Sequence, residues 1–443
     1  MKKILVIGNG GRENAIIRAL KQSKHETEIY NIGTAINPDI ENHCQQVIVG
    51  DIMDNDFLAD TAQKLAVDFA VVGPDDPIGN GAVDALLSVG VKSFAPTKKC
   101  AQLESSKSFT RNLLEKYNIE GSPEFYVSTQ AEDKQRADFF ARHNGQIVVK
   151  ADGLLGGKGV LVAGDHFTTL AEAEEFAQKS IEKFGKVVLE EKMIGPEFSI
   201  IFMVDGKTVI PTPAIQDHKR AFNNDEGPNT GGMGTVSDEN NSLPFLEDSD
   251  LATAKKITEQ TMHALEKETG EKFVGLMYGG FMKTKNGTKL VEYNARFGDP
   301  EVYNILGNLE TDFVEVCQAA INKELSKLDI TFKKQATVLK YLCPEGYPTS
   351  SVKNVPVKVL PAAYEMDPNQ AEFFFASIGK ENNKYLLKGS RAIAVLGKGK
   401  NWVEANANAD AMIKNFEGPM FYRTDIGTTE YWENKMKRFP FLP

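Results

Sequence analysis

IVVKADGLLGGKGVLVA, residues 147–163, is the stretch that organises this chain. IVVK reads as a buried strand ending on Lys150, and VLVA (160–163) as a second strand. The loop between them carries Gly153, Gly156, Gly157 and Gly159, with Lys158 inside it. A Walker A loop is excluded, because it needs glycine where Asp152 stands and Ser or Thr where Gly159 stands. Two readings remain. One is a plain glycine-rich hairpin with solvated lysines. The other is a glycine flap whose two lysines meet phosphates, and two lysines among four glycines favour it.

Outward from this stretch, FYV, QIVVK, VLVA and KVVLEE with helical patterns near 130–143 and 168–183 form a small α+β module. Before it, KILVIG (3–8), EIYNI, QQVIV and DFAVVG read as continuous apolar strands, alternating with helices at 12–22, 55–66 and 80–89. Such alternation means parallel pairing in a doubly wound, Rossmann-like α/β unit. Ligands on such sheets sit at the carboxyl ends of strands, which points to the loops Gly8–Arg12 and Gly73–Asn80. Residues 101–118 read as one helix. Longer strands follow within 196–294, with a helix near 250–268 and further helical patterns at 299–306 and 310–324. After Lys333 the chain turns β-rich, with a helix expected over 401–416. The expected division is 1–103, 104–327 with the module at about 120–190 inside it, and 328–443.

The chain's 443 residues suit about three domains of ordinary size. With 41% hydrophobic and 25% charged residues the composition is that of a globular protein. A net charge of -10 argues against a general nucleic-acid surface. The four cysteines form no C-x-x-C pair, so neither a disulfide framework nor a structural zinc site is expected. No run of 18 apolar residues occurs, which leaves no membrane span and makes a cytoplasmic protein the expectation.

Three further motifs carry chemistry. GNGGRE (8–13) opens a helix directly after a strand, where backbone N–H groups can approach an anion. It lacks the last glycine of a dinucleotide fingerprint, since Glu13 stands there, and a simple tight turn explains it equally well. In KLVEYNARFGDPE (289–301), Glu292 and Asn294 share one strand face, with Arg296 just beyond. A carboxylate and an amide oxygen suit Mg²⁺, which takes few protein oxygens and fills its octahedron with phosphates and water. The competing reading is a half-exposed edge strand, against which Tyr293 would point into the core. QDHKRAFNNDEGPNTGGMG (216–234) joins the charged cluster Asp217–Arg220 to a turn whose N–H groups can form an anion nest. A mobile surface loop is the bland alternative.

These motifs in this order, with VVGPDDP, SSKSFT, EGYP and YRTDIG, resemble the phosphoribosylamine–glycine ligase (glycinamide ribonucleotide synthetase) family of the ATP-grasp superfamily, over nearly the whole chain. The resemblance implies an α/β N-domain, an ATP-grasp core with a mobile flap subdomain, and a small β-rich C-terminal domain. It implies an enzyme that spends ATP to join glycine to 5-phosphoribosylamine through glycyl phosphate. The products would be glycinamide ribonucleotide, ADP and phosphate, in purine biosynthesis. Mg²⁺ or Mn²⁺ would assist, and the protein would be a monomer or weak dimer without nucleic-acid or membrane partners. A paralogous ligase using another amine, and a nucleotide-binding regulatory protein, are the alternatives.

Carried over by position, the resemblance makes Lys107 and Lys150 phosphate-binding lysines and Gly153, Gly156, Gly157, Lys158 and Gly159 the flap. Glu190, Glu191 and Met193 become the hinge beside adenine, Glu197 a ribose ligand, and Glu292 with Asn294 the metal pair. Asp217, Asn229, Thr230, Gly231, Gly232 and Arg296 fall near glycine and the phosphosugar, with Gly10 and Gly11 reaching the latter from the N-domain. Arg296, Asp217 and Lys219 are the catalytic candidates. The sequence departs from the family pattern at Asn14, at Asp75, in the loop NIGTAINP (31–38) and at Val302–Tyr303. Tyr303 is expected to add bulk near the glycine side.

Overall fold

The computed structural model describes residues 1–155 and 159–442. The strands Lys2–Ile7, Thr27–Gly33, Gln46–Val49, Phe69–Val72 and Lys92–Ser93 form one sheet, every neighbouring pair parallel. Lys2–Ile7 is central, and Ile4, Leu5, Val6 and Ile7 are wholly buried, as a strand covered on both faces requires. Chain order reverses between Lys2–Ile7 and Phe69–Val72, so the crevice of this sheet opens between the loops that follow those two strands. These are the loops at Gly8 and Gly73 singled out from the sequence.

The expected α+β module is a four-stranded antiparallel sheet in the order Phe125–Ser128, Val187–Glu191, Ile147–Ala151, Val160–Val162. Helices Lys134–Arg142 and Leu170–Phe184 flank it, and it has its own apolar core around Phe139, Val149, Ala177 and Leu189. A second antiparallel sheet runs Val209–Pro211, Glu197–Asp205, Val274–Thr284, Gly287–Asn294, with helix Asp248–Thr269 packed on it. Its last pair carries a bulge, because Gly280 faces Glu292 while Phe281 already faces Leu290. Val291 is the extra residue, and its carbonyl is released from the ladder.

The strand Ala336–Pro344 is buried along its whole length. It pairs with Ile393–Gly399 on one side and with Gly234–Ser237 on the other, so the β-rich C-terminal region is sewn into the 216–237 segment. That segment is ordered structure: strand Gln216–Asp217, then a hairpin of Arg220–Phe222 with Glu226–Asn229.

Two differences from expectation bear on the site. The 101–118 helix is broken at Ser106, whose backbone is extended and whose hydroxyl caps helix Lys107–Lys116 by accepting the Phe109 N–H. A last helix, Thr429–Arg438, was not expected at all; it buries Tyr431 and Trp432. Among the described residues no helix is long and apolar enough to cross a membrane.

Candidate active site

A cleft of about 950 Å³ lies where the small antiparallel module, the second sheet, the N-terminal sheet and the last helix meet. One half of it is built around one buried carboxylate. Glu190 accepts from Arg111 through both oxygens, at 2.7 and 3.0 Å, and pairs with Lys150 at 2.7 Å. The freed Val291 carbonyl takes a second bond from each cation, 2.7 Å from Arg111 and 3.1 Å from Lys150. Burial alone would raise the Glu190 carboxyl, but Arg111 and Lys150 outweigh it and hold it below its ordinary range. Burial pushes the Lys150 amine down, with Glu190 opposing. Glu190 lines the cleft, but its carboxylate is committed to Arg111 and Lys150.

The glycine loop is anchored at its start. Asp152 accepts from the Ser108 N–H at 3.0 Å, from the Ser108 hydroxyl at 2.7 Å and from Lys186 at 2.9 Å. Its carboxylate thus caps helix Lys107–Lys116, a helix N-terminus being a favourable place for negative charge. Lys107 donates to the Gly153 carbonyl at 3.1 Å. Gly153, Gly159, Glu191, Met193 and Glu197 also line the cleft. Gly156, Gly157 and Lys158 lie outside the described residues.

On the facing strand, Tyr293 is buried against Thr258 and Thr261 as alternation demands, while Glu292, Asn294 and Arg296 turn to the cleft. Glu292 and Asn294 engage no side chain among the described residues, leaving an amide and a carboxylate oxygen side by side. Among the described residues no cluster of three metal-ligating side chains occurs. A two-oxygen pair fits a hard cation that completes its shell with phosphate and water.

Lys219 pairs with Glu197 at 2.6 Å. Burial would lower its amine, yet Glu197, Glu292 and Asp217 together hold it above its ordinary value, so it stays a cation. Asp217 is raised well above a normal carboxyl by burial and by Glu301, and its Oδ1 is buried without a partner. Asp75 sits at the far end. Burial would raise it, but Arg296 and Arg12 bring it below its ordinary value. Arg296 itself pairs with Glu104 at 2.8 Å and leaves its Nε without a partner.

Three family models match in series. The N domain of phosphoribosylglycinamide synthetase covers residues 2–104, its ATP-grasp (A) domain 105–302, and its C domain 337–429. The chain belongs to this family. Curated relatives named phosphoribosylamine–glycine ligase include one from Methanococcus vannielii, 42% identical over 99% of this chain and 100% of the relative. Another, from Methanosarcina barkeri, is 42% identical over 96% of each chain. The crystal structure of phosphoribosylamine–glycine ligase from Thermotoga maritima superposes with a TM-score of 0.79 at 25% identity, covering 96% of this chain and 99% of that one. The three-domain architecture with its ATP-grasp core, expected from the motifs, is therefore that of the family.

Several family-derived placements change in the structure. Gly10 and Gly11 do not line the cleft. The Gly10 N–H is taken by Glu13 Oε2 at 2.7 Å, so the helix start already holds its own anion. A Cβ on Gly73 would lie 2.1 Å from Glu13 Oε1, so Glu13 fills the space between the two glycine loops. The tight-turn reading of GNGGRE is the one the geometry favours, and Arg12, not anticipated, is the side chain that reaches the cleft. Asn229, Thr230 and Gly231 line the cleft, while Gly232 lies behind it at a φ of 113°. Asn14 is fully buried and donates to Asp39 and to the Phe375 carbonyl, which ties the first helix to the C-terminal sheet. Tyr303 is 1% exposed and does not line the cleft, so it adds no bulk there.

Other cleft residues went unread. Arg391 donates to the carbonyls of Gly231 and Gly232 at 2.8 and 2.9 Å. Arg423, in YRTDIG, does not line the cleft itself but clamps Asp225, which does, together with Asp425, and so fixes the 220–229 hairpin. Tyr431, Lys435 and Arg438 arrive from the last helix. No local spacing marks these residues; only the fold brings them in.

Proposed function

We propose that this cleft performs the ATP-dependent ligation of glycine to 5-phosphoribosylamine, giving glycinamide ribonucleotide, ADP and phosphate. The carrying observation is that Lys150, Lys219, Glu292 and Asn294 converge on one cleft in a chain of this family. A carboxylate is a poor electrophile. Phosphorylation of glycine by ATP supplies a leaving group, and the amine of the phosphosugar then displaces phosphate from the acyl carbon.

The protein's task is positioning and charge neutralisation. Lys107 and Lys150 stand at the glycine loop to meet phosphate oxygens, Lys150 being held by Glu190 and the Val291 carbonyl. Glu191 and Met193 offer the hinge for adenine and Glu197 a ribose contact. Glu292 and Asn294 would hold Mg²⁺ or Mn²⁺, whose charge would offset that of the phosphates. Lys219 places a fixed cation between Glu197, Glu292 and Asp217, beside the site of phosphoryl transfer. Arg296, with an unpaired Nε, binds the glycine carboxylate or the acyl phosphate, and Arg12 and Asp75 face the phosphosugar. The departures at Asn14 and Tyr303 are buried and lie outside the lining of the cleft.

Purified protein with ATP, Mg²⁺ and glycine should release ADP rapidly only when phosphoribosylamine is generated in the same vessel, with glycinamide ribonucleotide found by mass spectrometry. Turnover driven by some other amine, without that product, would replace this reading with a paralogous ligase.

A further inference from the structure

Tyr303 sits where the three parts of the chain touch. It belongs to helix Glu301–Asn308, at the end of the RFGDPE segment. Its hydroxyl occupies the space left by the missing side chain of Gly11, since a Cβ there would lie 2.1 Å from it. The same hydroxyl lies 2.8 Å from that of Tyr341, in the buried C-terminal strand. Tyr341 donates to Asp299 Oδ1 at 2.7 Å, which leaves Tyr303 to donate to Tyr341. The other Asp299 oxygen faces Arg391 at 3.4 Å. Arg391 lies over the Tyr341 ring, 4.5 Å from its centroid, and donates to the carbonyls of Gly231, Gly232 and Asp299. At Gly232 a Cβ would come within 2.6 Å of Asp217 Oδ1, so the turn presses directly on that carboxylate.

We infer that Tyr303 is a positioning residue for the acceptor end of the cleft, acting through Tyr341, Asp299 and Arg391 to fix the Gly231–Gly232 turn against Asp217. The relay is continuous. Each oxygen and guanidinium in it has one partner that only the relay supplies, and both tyrosines are buried, 1% and 0% exposed. In such surroundings a lost hydroxyl is not replaced by solvent, and its former partner is left unsatisfied. Removing the Tyr303 proton donor leaves the Tyr341 oxygen short of a partner, loosens Asp299 and Arg391, and frees the two carbonyls of the turn. The nucleotide half hangs on a different set, Glu190, Arg111 and Lys150, that shares no member with the relay. The effect is therefore confined to one end of the cleft. Helix Gly11–Lys21 packs through Gly11 on the same hydroxyl, beside its Asn14 contact with Phe375.

The inference deepens the proposed ligase reading, and the test separates the two. Tyr303→Phe, Tyr341→Phe and the double variant are compared with the parent by hydrogen exchange without ligand. They are then compared by calorimetric titration of glycinamide ribonucleotide and, separately, ADP. Exchange should quicken across 229–234 in all three variants and stay unchanged across 187–191. Affinity for glycinamide ribonucleotide should fall roughly fivefold or more, as for one lost buried hydrogen bond, with ADP affinity unmoved. The double variant should match the worse single one, because one chain is cut twice. Unchanged exchange at 229–234, parallel losses for both ligands, or additive effects would overturn the relay. A parent protein that fails to bind glycinamide ribonucleotide would instead sink the substrate assignment, while the exchange data still judge the relay.

Discussion

Glu190→Gln is the sharpest test of how the nucleotide half is held together. The carboxylate makes three charge-assisted contacts, two with Arg111 and one with Lys150, and all three side chains are no more than 5% exposed. Glutamine keeps the shape but removes the charge. With its oxygen in the Oε2 position it keeps neutral contacts with Arg111 Nη2 and Lys150 but turns an N–H group towards Arg111 Nε, so at most two of the three contacts survive, neither of them an ion pair. Breaking a buried pair by neutralising one member costs about 3–5 kcal/mol, because the remaining charge stays buried and uncompensated. The Val291 and Leu290 carbonyls still accept from Arg111, which places the expected loss at the lower end, about 3 kcal/mol.

A chain of this size need not unfold in one step. The assay is therefore hydrogen exchange of the strands Ile147–Ala151 and Val187–Glu191, which reads the local opening free energy directly. The sign with pH follows from the shift. The folded Glu190 carboxyl titrates below its ordinary value, so its stabilisation is present above about pH 4.3 and disappears as pH falls through the folded value. The gap between parent and variant should be full at pH 7 and close under acid. A loss below about 1 kcal/mol at pH 7, the scale of an exposed pair, would refute the clamp. So would a gap that does not change with pH.

Three further outcomes are expected. Glu292→Ala and Asn294→Ala should each cut ADP formation at saturating Mg²⁺ by more than about 100-fold, the upper end for losing even an outer partner of a metal ligand; near-normal rates in both would remove the metal assignment. Asp217→Asn should raise the melting temperature at neutral pH while lowering activity. Asp217 titrates above its unfolded value, so its favourable contribution exists below about pH 3.9 and is lost as pH rises through the folded value; melting scans at pH 7 and pH 3 check that the gain vanishes in acid. Lys435, whose amine burial depresses to about 8, should make nucleotide affinity fall as pH rises through that value. Titrations of an ATP analogue from pH 7 to 9 should show the step in the parent and none in Lys435→Met.

What the sequence made legible was whatever a short stretch could encode. Alternation alone placed Glu292, Asn294 and Arg296 on one face and Tyr293 on the other; in the structure the first three line the cleft and the Tyr293 hydroxyl is buried against Thr258 and Thr261. Continuous apolar runs announced the parallel sheet and located its crevice at Gly8 and Gly73. The break at Ser106 was hidden because apolar residues keep helical spacing straight through it, although the second serine of SSKSFT (105–110) has the look of a helix cap. Glu13 is the more instructive miss. Its position three residues after Gly10 is the spacing at which a helix caps itself with its own carboxylate. A glycine loop followed by such an acid holds its anion internally.

The same logic explains why the acceptor end resisted reading. Its walls are made by Arg12, Asp217, the Gly231 turn and Arg391, contributed from separated parts of the chain. Asp217 and the Gly231 turn stood out as a motif, but Arg12 and Arg391 look ordinary where they stand. Arg391 gains meaning only from the carbonyls it meets, and a carbonyl has no signature in an amino-acid code. Under the proposed function nucleotide phosphates would be met by a loop and a strand edge, which are local and repeat as motifs. A phosphosugar held across three parts of the chain is met by their relative placement. That placement is carried here by buried contacts such as Asn14 with Phe375 and Tyr303 with Tyr341. Both residues are departures from the family pattern, and both lie in the joints between parts rather than in the cleft. A substitution in a joint can retune the acceptor end while leaving every cleft-lining residue unchanged.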